Sequence, residues 1–201
     1  PPVANPVKHF LQPWAEKVTK ESNGRIKVLV FPSMQLGGNP SQLLQQARDG
    51  VADIVWTLPG FTPGVIVKDE VFELPFIHRD TRSTVMALQD FSDMHLKKEL
   101  APYHVLLVHA QAGSLYMTRG AINTVDDFKG MKLRTPSRTA AWVVEALGGS
   151  PVQVALPELA PMLSKGTVSG AVLTYEIAPA VKMQDLVDHF TTFAGEQPRM
   201  A

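Results

Sequence analysis

Short apolar runs alternate with stretches of helical periodicity along this chain, and that alternation most restricts what it can fold into. Apolar residues at helical spacing predict a first helix over residues 7–18, which Asn23-Gly24 ends. A run with strand character follows at 25–30, and another at 52–56 comes after a second, capped helix. Strands that alternate with helices in this way are typical of α/β proteins.

The same order continues through the second half of the chain. A helix is predicted at about 81–100, and Thr124 with Asp127 makes the pattern of a capping box. Six further strands are predicted at residues 103–110, 114–118, 131–134, 151–154, 170–173 and 189–193. We therefore predict the α/β class, with mixed and largely parallel sheets.

Charge and residue types exclude several classes of function. Lys plus Arg equals Asp plus Glu at 19 each, and the charges are scattered, so we expect no nucleic-acid partner. The absence of cysteine excludes disulfide frameworks, thiolate metal sites and cysteine nucleophiles. No apolar stretch approaches the roughly 20 residues that cross a bilayer. The chain opens at Pro1-Pro2 with no initiator methionine, which predicts a mature or trimmed segment.

The usual enzyme constellations are also missing from the pattern. No pair of histidines has the i, i+4 spacing of a helical metal pair, so we expect no metal and no cofactor. Ser114 follows Gly113 but lacks the second glycine of a nucleophile elbow. Glu73 and Glu158 each lack a neighbouring carboxylate and are interpreted as structural. These observations favour a binding protein over an enzyme.

Arg134 is the strongest candidate for a binding residue. It ends a short apolar strand immediately before Thr135-Pro136, and Ser137 can cap the helix that follows. Open α/β sheets place ligand-binding side chains at such strand ends. A guanidinium there can make two parallel charge-assisted hydrogen bonds to a carboxylate. The alternative is an arginine paired with a nearby Asp or Glu, and the pattern alone leaves both open.

Several segments, taken in order, carry a resemblance to a known family. They read Gly24-Arg25-Ile26-Lys27-Val28, Phe31-Pro32, Gln35-Leu36-Gly37, Gly50-Val51-Ala52-Asp53, Phe72-Glu73-Leu74-Pro75-Phe76, Asp127-Phe128-Lys129-Gly130-Met131-Lys132-Leu133-Arg134 and Leu147-Gly148-Gly149 with Pro151-Val152. Together they resemble the DctP-type solute-binding proteins of tripartite ATP-independent periplasmic (TRAP) transporters. Their order and spacing cover nearly the whole chain.

The resemblance implies a periplasmic binding protein whose two α/β lobes close around an organic acid, with Arg134 clamping the carboxylate. Residues 1–112 would form most of the first lobe and residues 113–201 most of the second. It implies a membrane-integral TRAP permease as partner, and we expect a monomer. Members of the family run about a hundred residues further, so the resemblance also implies that both ends of the lobes lie outside this chain.

Departures from the family bear on the ligand. Many relatives carry an arginine where this chain has Ser114, so the resemblance implies that only one positively charged side chain, not two, binds the ligand. Aromatic residues near the expected cleft favour a monocarboxylate with an apolar or aromatic body. The candidate ligand-binding residues are Arg134, Trp56, Thr57, Phe76, Ser114, Tyr116, Leu173, Thr174 and Tyr175. The alternative function is an α/β enzyme, a hydrolase or isomerase, that acts on a small carboxylate.

Overall fold

The computed structural model describes residues 4–191 of the chain. Its α-helices are α1 (Gln12–Glu21), α2 (Leu43–Arg48), α3 (Thr81–Phe91), α4 (Arg138–Ala146) and α5 (Leu156–Ser164). Its strands are β1 (Leu115–Thr118), β2 (Lys132–Thr135), β3 (Ser150–Gln153), β4 (Gly170–Leu173) and β5 (His189–Phe190). Short 3-10 and π-helical turns connect them. This order confirms the predicted α/β class.

All five strands form one mixed sheet in the order β3-β2-β4-β1-β5. Strand β2 runs parallel to both β3 and β4, whereas β1 runs antiparallel to both β4 and β5. The prediction of a mixed sheet is confirmed, although only one side of it is parallel. The carboxyl ends of parallel strands meet at one edge of a sheet. Strands β2, β3 and β4 therefore end at the same edge, and Arg134 lies near it, next to the last residue of β2.

The two faces of this sheet pack against different helices because successive side chains of a strand point to opposite faces. Val172 of β4 belongs to a buried cluster with Leu133 and with Val144 of α4. Its neighbours Ala171 and Leu173 belong to the other cluster, with Leu159 of α5. The continuous apolar run of β4 is therefore explained by burial on both faces.

The first half of the chain is helical where the structure assigns regular elements. A π-helical turn at Val7–Leu11 runs directly into α1, so Pro13, which has no N–H to donate, lies inside a continuous helical segment just after the wider turn. Leu44, Ile66 and Leu96 form a small buried cluster in this half. That cluster shares no member with the two clusters of the sheet.

Three predicted strands, at 25–30, 52–56 and 103–110, are wrong within the described part of the chain. None of these segments is assigned to a strand, and each leaves a large apolar side chain more than half exposed: Leu29, Ile54 and Leu106. An apolar run favours extended backbone, but a strand also requires a hydrogen-bonded neighbour. Among residues 4–191 these segments have no such neighbour, and the five-stranded sheet lies entirely after residue 114.

Local signals at helix ends are confirmed. Thr124 and Asp127 form the predicted capping box, and the Ser137 side chain accepts a hydrogen bond from the amide of Ala140 in α4. The predicted helix at 81–100 is shorter, since α3 ends at Phe91 and continues only as a π-helical turn. The end of the strand predicted at 189–193 lies outside the described residues.

Candidate ligand-binding site

Arg134 lies within the sheet and has almost no contact with solvent. It stands on β2 between Val152 of β3 and Ala171 of β4, and only 2% of its surface is exposed. Its Nε donates a hydrogen bond of 3.0 Å to the carbonyl oxygen of Val154, just beyond β3. Its Nη1 lies 3.4 Å from the carbonyl oxygen of Val172, to which it donates a second bond.

The guanidinium of Arg134 has no carboxylate partner among residues 4–191. The salt bridges of the described chain join Lys17 to Glu21, Lys129 to Asp126 and Arg138 to Glu70. Burial lowers the pKa of Arg134 to about 10, so the group is still charged at neutral pH. A buried charge without a counter-ion is costly, typically several kcal/mol. The alternative, in which Arg134 pairs with a nearby Asp or Glu, is thus not observed among residues 4–191.

Unpartnered hydroxyl groups follow Arg134 in the chain and follow the neighbouring strand β4. Among residues 4–191, the hydroxyls of Thr135 and Thr174 are buried without a hydrogen-bond partner. Thr135 follows Arg134 in β2, and Thr174 follows β4. Buried hydroxyl groups are normally paired, so these two are available to a polar ligand or to water. The hydroxyl of Thr139, in the first turn of α4, lies instead beside the Glu73 carboxyl group.

The 3-10 helix at Lys68–Glu73 packs against the beginning of α4. Arg138 donates hydrogen bonds of 3.0 and 2.7 Å from Nε and Nη2 to the same carboxylate oxygen of Glu70. Burial raises the pKa of Glu73, and the neighbouring hydroxyls of Ser137 and Thr139 oppose that rise. The first half of the chain thus meets the sheet at the helix N-terminus that follows Arg134.

A mostly apolar cavity of about 680 Å³ lies in the first half of the described chain. Trp56 and Thr57, two of the predicted binding residues, line it together with His109. The Trp56 indole N–H donates a hydrogen bond to His109 Nε2, and the two rings stack with centroids 5.4 Å apart and an interplanar angle of 21°. Arg134 is not among the residues that line this cavity.

The other predicted binding residues lie in varied surroundings. Phe76 adopts a left-handed backbone with φ of +69° and is 76% exposed. Tyr116 and Leu173 are members of the two buried clusters of the sheet. Ser114 directly precedes β1, and Tyr175, which is 43% exposed, stacks on Phe190 at 6.1 Å. The structure therefore gathers Arg134, Ser114, Leu173 and Thr174 around the sheet and Trp56 and Thr57 around the cavity.

His109 and the buried threonines Thr135 and Thr139 were not predicted. His109 is 53 residues from Trp56 in the chain, and no local pattern joins the two. Within residues 4–191, the structure shows no group of three or more His, Asp or Glu side chains placed to hold a metal ion. The same residues contain no helix that is long and apolar enough to span a membrane.

A sequence profile for the bacterial extracellular solute-binding proteins of family 7, DctP, matches residues 2–196. Among curated proteins, the chain is 28% identical over 179 residues to the C4-dicarboxylate-binding periplasmic protein DctP of Rhodobacter capsulatus. That match covers 88% of this chain and 54% of the relative. The chain thus spans about half the length of this curated relative.

Solved structures share both the fold and a higher identity. A marine metagenome TRAP solute-binding protein specific for aromatic acid ligands, in complex with 3-hydroxybenzoate, is 43% identical with a TM-score of 0.94. The match covers 100% of the present chain and 63% of the chain in that structure. A TRAP solute-binding protein from Rhodoferax ferrireducens with copurified benzoate is 40% identical with a TM-score of 0.89, over 92% of this chain and 58% of that one.

Proposed function

The chain belongs to the bacterial extracellular solute-binding proteins of family 7, the DctP family, and we propose from this that it captures an organic acid for a TRAP-type transporter. The proposed ligand is a monocarboxylate with an aromatic body. Two similar structures hold 3-hydroxybenzoate and benzoate, which supports that ligand class. The proposed location is the periplasm, and the proposed partners are the membrane-integral permease subunits of the same transporter.

The observation that carries this proposal is the buried guanidinium of Arg134, which has backbone carbonyl partners but no carboxylate partner within residues 4–191. A ligand carboxylate would neutralise that charge and accept charge-assisted hydrogen bonds from it. The hydroxyl of Thr174, just after β4, is buried and has no partner within residues 4–191, so it would offer a further polar contact. The family match favours this binding role over the alternative of a hydrolase or isomerase.

We further propose that the chain contributes to two lobes that divide near residue 112, with the ligand between them. The separate buried clusters on either side of that position support the division. The contact of Glu70 with Arg138 would then join the lobes beside the ligand. A monomeric state stays a prediction, which analytical ultracentrifugation with and without benzoate would test.

The test of the carboxylate clamp is calorimetric titration of benzoate and succinate into the wild type and Arg134→Met. We expect the wild type to bind benzoate, and the variant to lose about 2–5 kcal/mol of binding free energy because the ligand charge is left unpaired. Methionine fills similar space without a buried charge, so the unliganded variant is expected to keep or gain thermal stability. That separates loss of the site from loss of the fold.

Arg119→Ala is the matched control. It also removes one positive charge, from an exposed residue whose guanidinium donates to the carbonyl oxygen of Leu163. Its affinity for benzoate is expected to equal that of the wild type. Unchanged affinity in Arg134→Met would overturn the assignment of Arg134, and tighter binding of succinate than of benzoate would overturn the ligand class.

A further inference from the structure

We propose that His109 is a positioning residue that gives the site its preference for aromatic over aliphatic acids, by holding the ring of Trp56 in one orientation. This inference rests on the proposed function and deepens it. The two residues stack on each other and share a hydrogen bond in the wall of the 680 Å³ cavity. Both side chains are half-buried.

The hydrogen bond defines the state of the histidine. The indole N–H of Trp56 can only donate, so His109 Nε2 must accept, and the ring proton therefore lies on Nδ1. The backbone of Ala110 lies beside the same imidazole and favours its charged form. The His109 ring thus bonds Trp56 and lies against the backbone of the next residue, which suits a residue that orients a neighbouring side chain.

The orientation of the indole matters more for an aromatic ligand than for an aliphatic one. Aromatic rings prefer offset-stacked or edge-to-face contacts, so a flat ligand gains from a wall whose ring plane is fixed. A saturated ring or an alkyl chain makes contacts that depend on shape and area rather than on plane angle. If the acceptor at His109 is lost, the indole N–H is left without a partner and the indole is free to turn toward water.

Protonation of His109 would have the same effect as removing the acceptor. An imidazolium places an N–H against the indole N–H, and the bond is lost. Burial lowers the pKa of His109, while the hydrogen bond with Ala110 and the charge of Glu176 oppose that shift. The other titratable side chains that line the same cavity are Asp53, Asp69, Tyr103 and His104. Because burial lowers the pKa of His109, the preference for aromatic acids is expected to weaken only when the solution is more acidic than the ordinary titration range of histidine.

The experiment compares two acids of similar size, benzoate and cyclohexanecarboxylate, by calorimetric titration at about pH 7.5 and about pH 5, with each affinity referred to the ionised form of the acid. His109→Phe retains an aromatic ring but has no acceptor, and His109→Gln offers an acceptor oxygen. We expect His109→Phe to weaken benzoate binding about tenfold and cyclohexanecarboxylate binding by no more than about threefold. His109→Gln is expected to recover part of the preference for benzoate.

The pH profile separates positioning from a merely structural role. In the wild type the ratio of the two affinities should fall toward the acidic side, whereas in His109→Phe it should stay constant. His95→Phe, a change in an exposed histidine that does not line this cavity, should keep the wild-type ratio at both pH values.

The failure of this inference is distinguishable from the failure of the proposed function. An unchanged affinity ratio in His109→Phe, in a protein whose binding is abolished by Arg134→Met, would overturn the role of His109 alone. A wild type that binds neither acid would overturn both proposals.

Discussion

Arg138 and Glu70 form the one ion pair of residues 4–191 that joins the first half of the chain to the sheet, with Arg138 Nη2 2.7 Å from Glu70 Oε2. The glutamate side chain is only 14% exposed, so solvent screens this pair less than it screens a surface pair. The contact fixes the 3-10 helix at Lys68–Glu73 against the first turn of α4.

Glu70→Gln is expected to lower the free energy of unfolding by about 1 kcal/mol, since a partly buried pair is worth more than an exposed one. The measurement is urea denaturation followed by circular dichroism. Asp126→Asn is the control, because its pair with Lys129 is 73–81% exposed and should contribute nothing measurable. Equal losses in the two variants would contradict the special status of the Glu70 contact.

Gly170→Ala is expected to destabilise the sheet by about 1–3 kcal/mol, the range for added volume in a packed interior. A methyl group at Gly170 would lie 2.5 Å from the carbonyl oxygen of Met117 and 2.9 Å from Thr118 Cα, and backbone atoms cannot move aside. Thermal unfolding measures the loss. Gly120→Ala, whose methyl would meet only Met131 Cε at 3.4 Å, should leave the melting temperature nearly unchanged.

Asp69 is expected to make the protein less stable as the pH rises. Burial, with the charges of Glu73, Glu99 and Glu70, raises the pKa of Asp69 to about 6. The folded chain then holds the proton more tightly than the unfolded chain, so this contribution to stability is full below about pH 4 and lost as the pH rises through about 6. The loss is at most about 3 kcal/mol.

Asp69→Asn should abolish this decline, which denaturant titrations at a series of pH values would show as a flatter profile than the wild type. Asp127→Asn should change the profile in the opposite sense. Hydrogen bonds from the backbone of Asn123 and Thr124 lower the pKa of Asp127, so its contribution is present at neutral pH and lost on acidification. Parallel profiles for wild type and Asp69→Asn would disprove the assignment.

Thr174→Val is expected to separate stability from binding. Its hydroxyl is buried and has no partner among residues 4–191, so an isosteric apolar side chain should leave the unfolding free energy unchanged or raise it by about 1 kcal/mol. Affinity for benzoate should fall if the ligand uses that hydroxyl. Thr118→Val is the control, since the Thr118 hydroxyl donates to the Gly120 carbonyl at 2.7 Å and its loss should cost about 1 kcal/mol.

Local chemistry allowed much of the second half to be predicted. The bounds predicted for β4 agree with the structure. A short apolar run between turn residues indicates by itself where a buried strand begins and ends. The position of Arg134, near a strand end before a capped helix, was predicted to within one residue, since β2 continues to Thr135. Its lack of a carboxylate partner was not, since that depends on which acids the fold brings near.

The first half shows why the rest was not predictable. The segments at 25–30 and 103–110 have the composition of strands, yet pairing depends on a neighbour that no local pattern specifies. Trp56 and His109 likewise meet only because the chain returns after 53 residues. Residue type predicts what a side chain can do, whereas its partner is a property of the folded chain.

The strand order β3-β2-β4-β1-β5 has a consequence for synthesis on the ribosome. Within the part of the chain that the structure describes, β1 pairs only with β4 and β5, both of which follow it by more than fifty residues. A nascent polypeptide that has emerged as far as β3 can form the β2–β3 ladder, but its Leu115–Thr118 segment still has exposed edges on both sides. Unpaired edges of this kind invite aggregation, so we expect translation pauses before residue 170 to lengthen the exposure of β1 to chaperones.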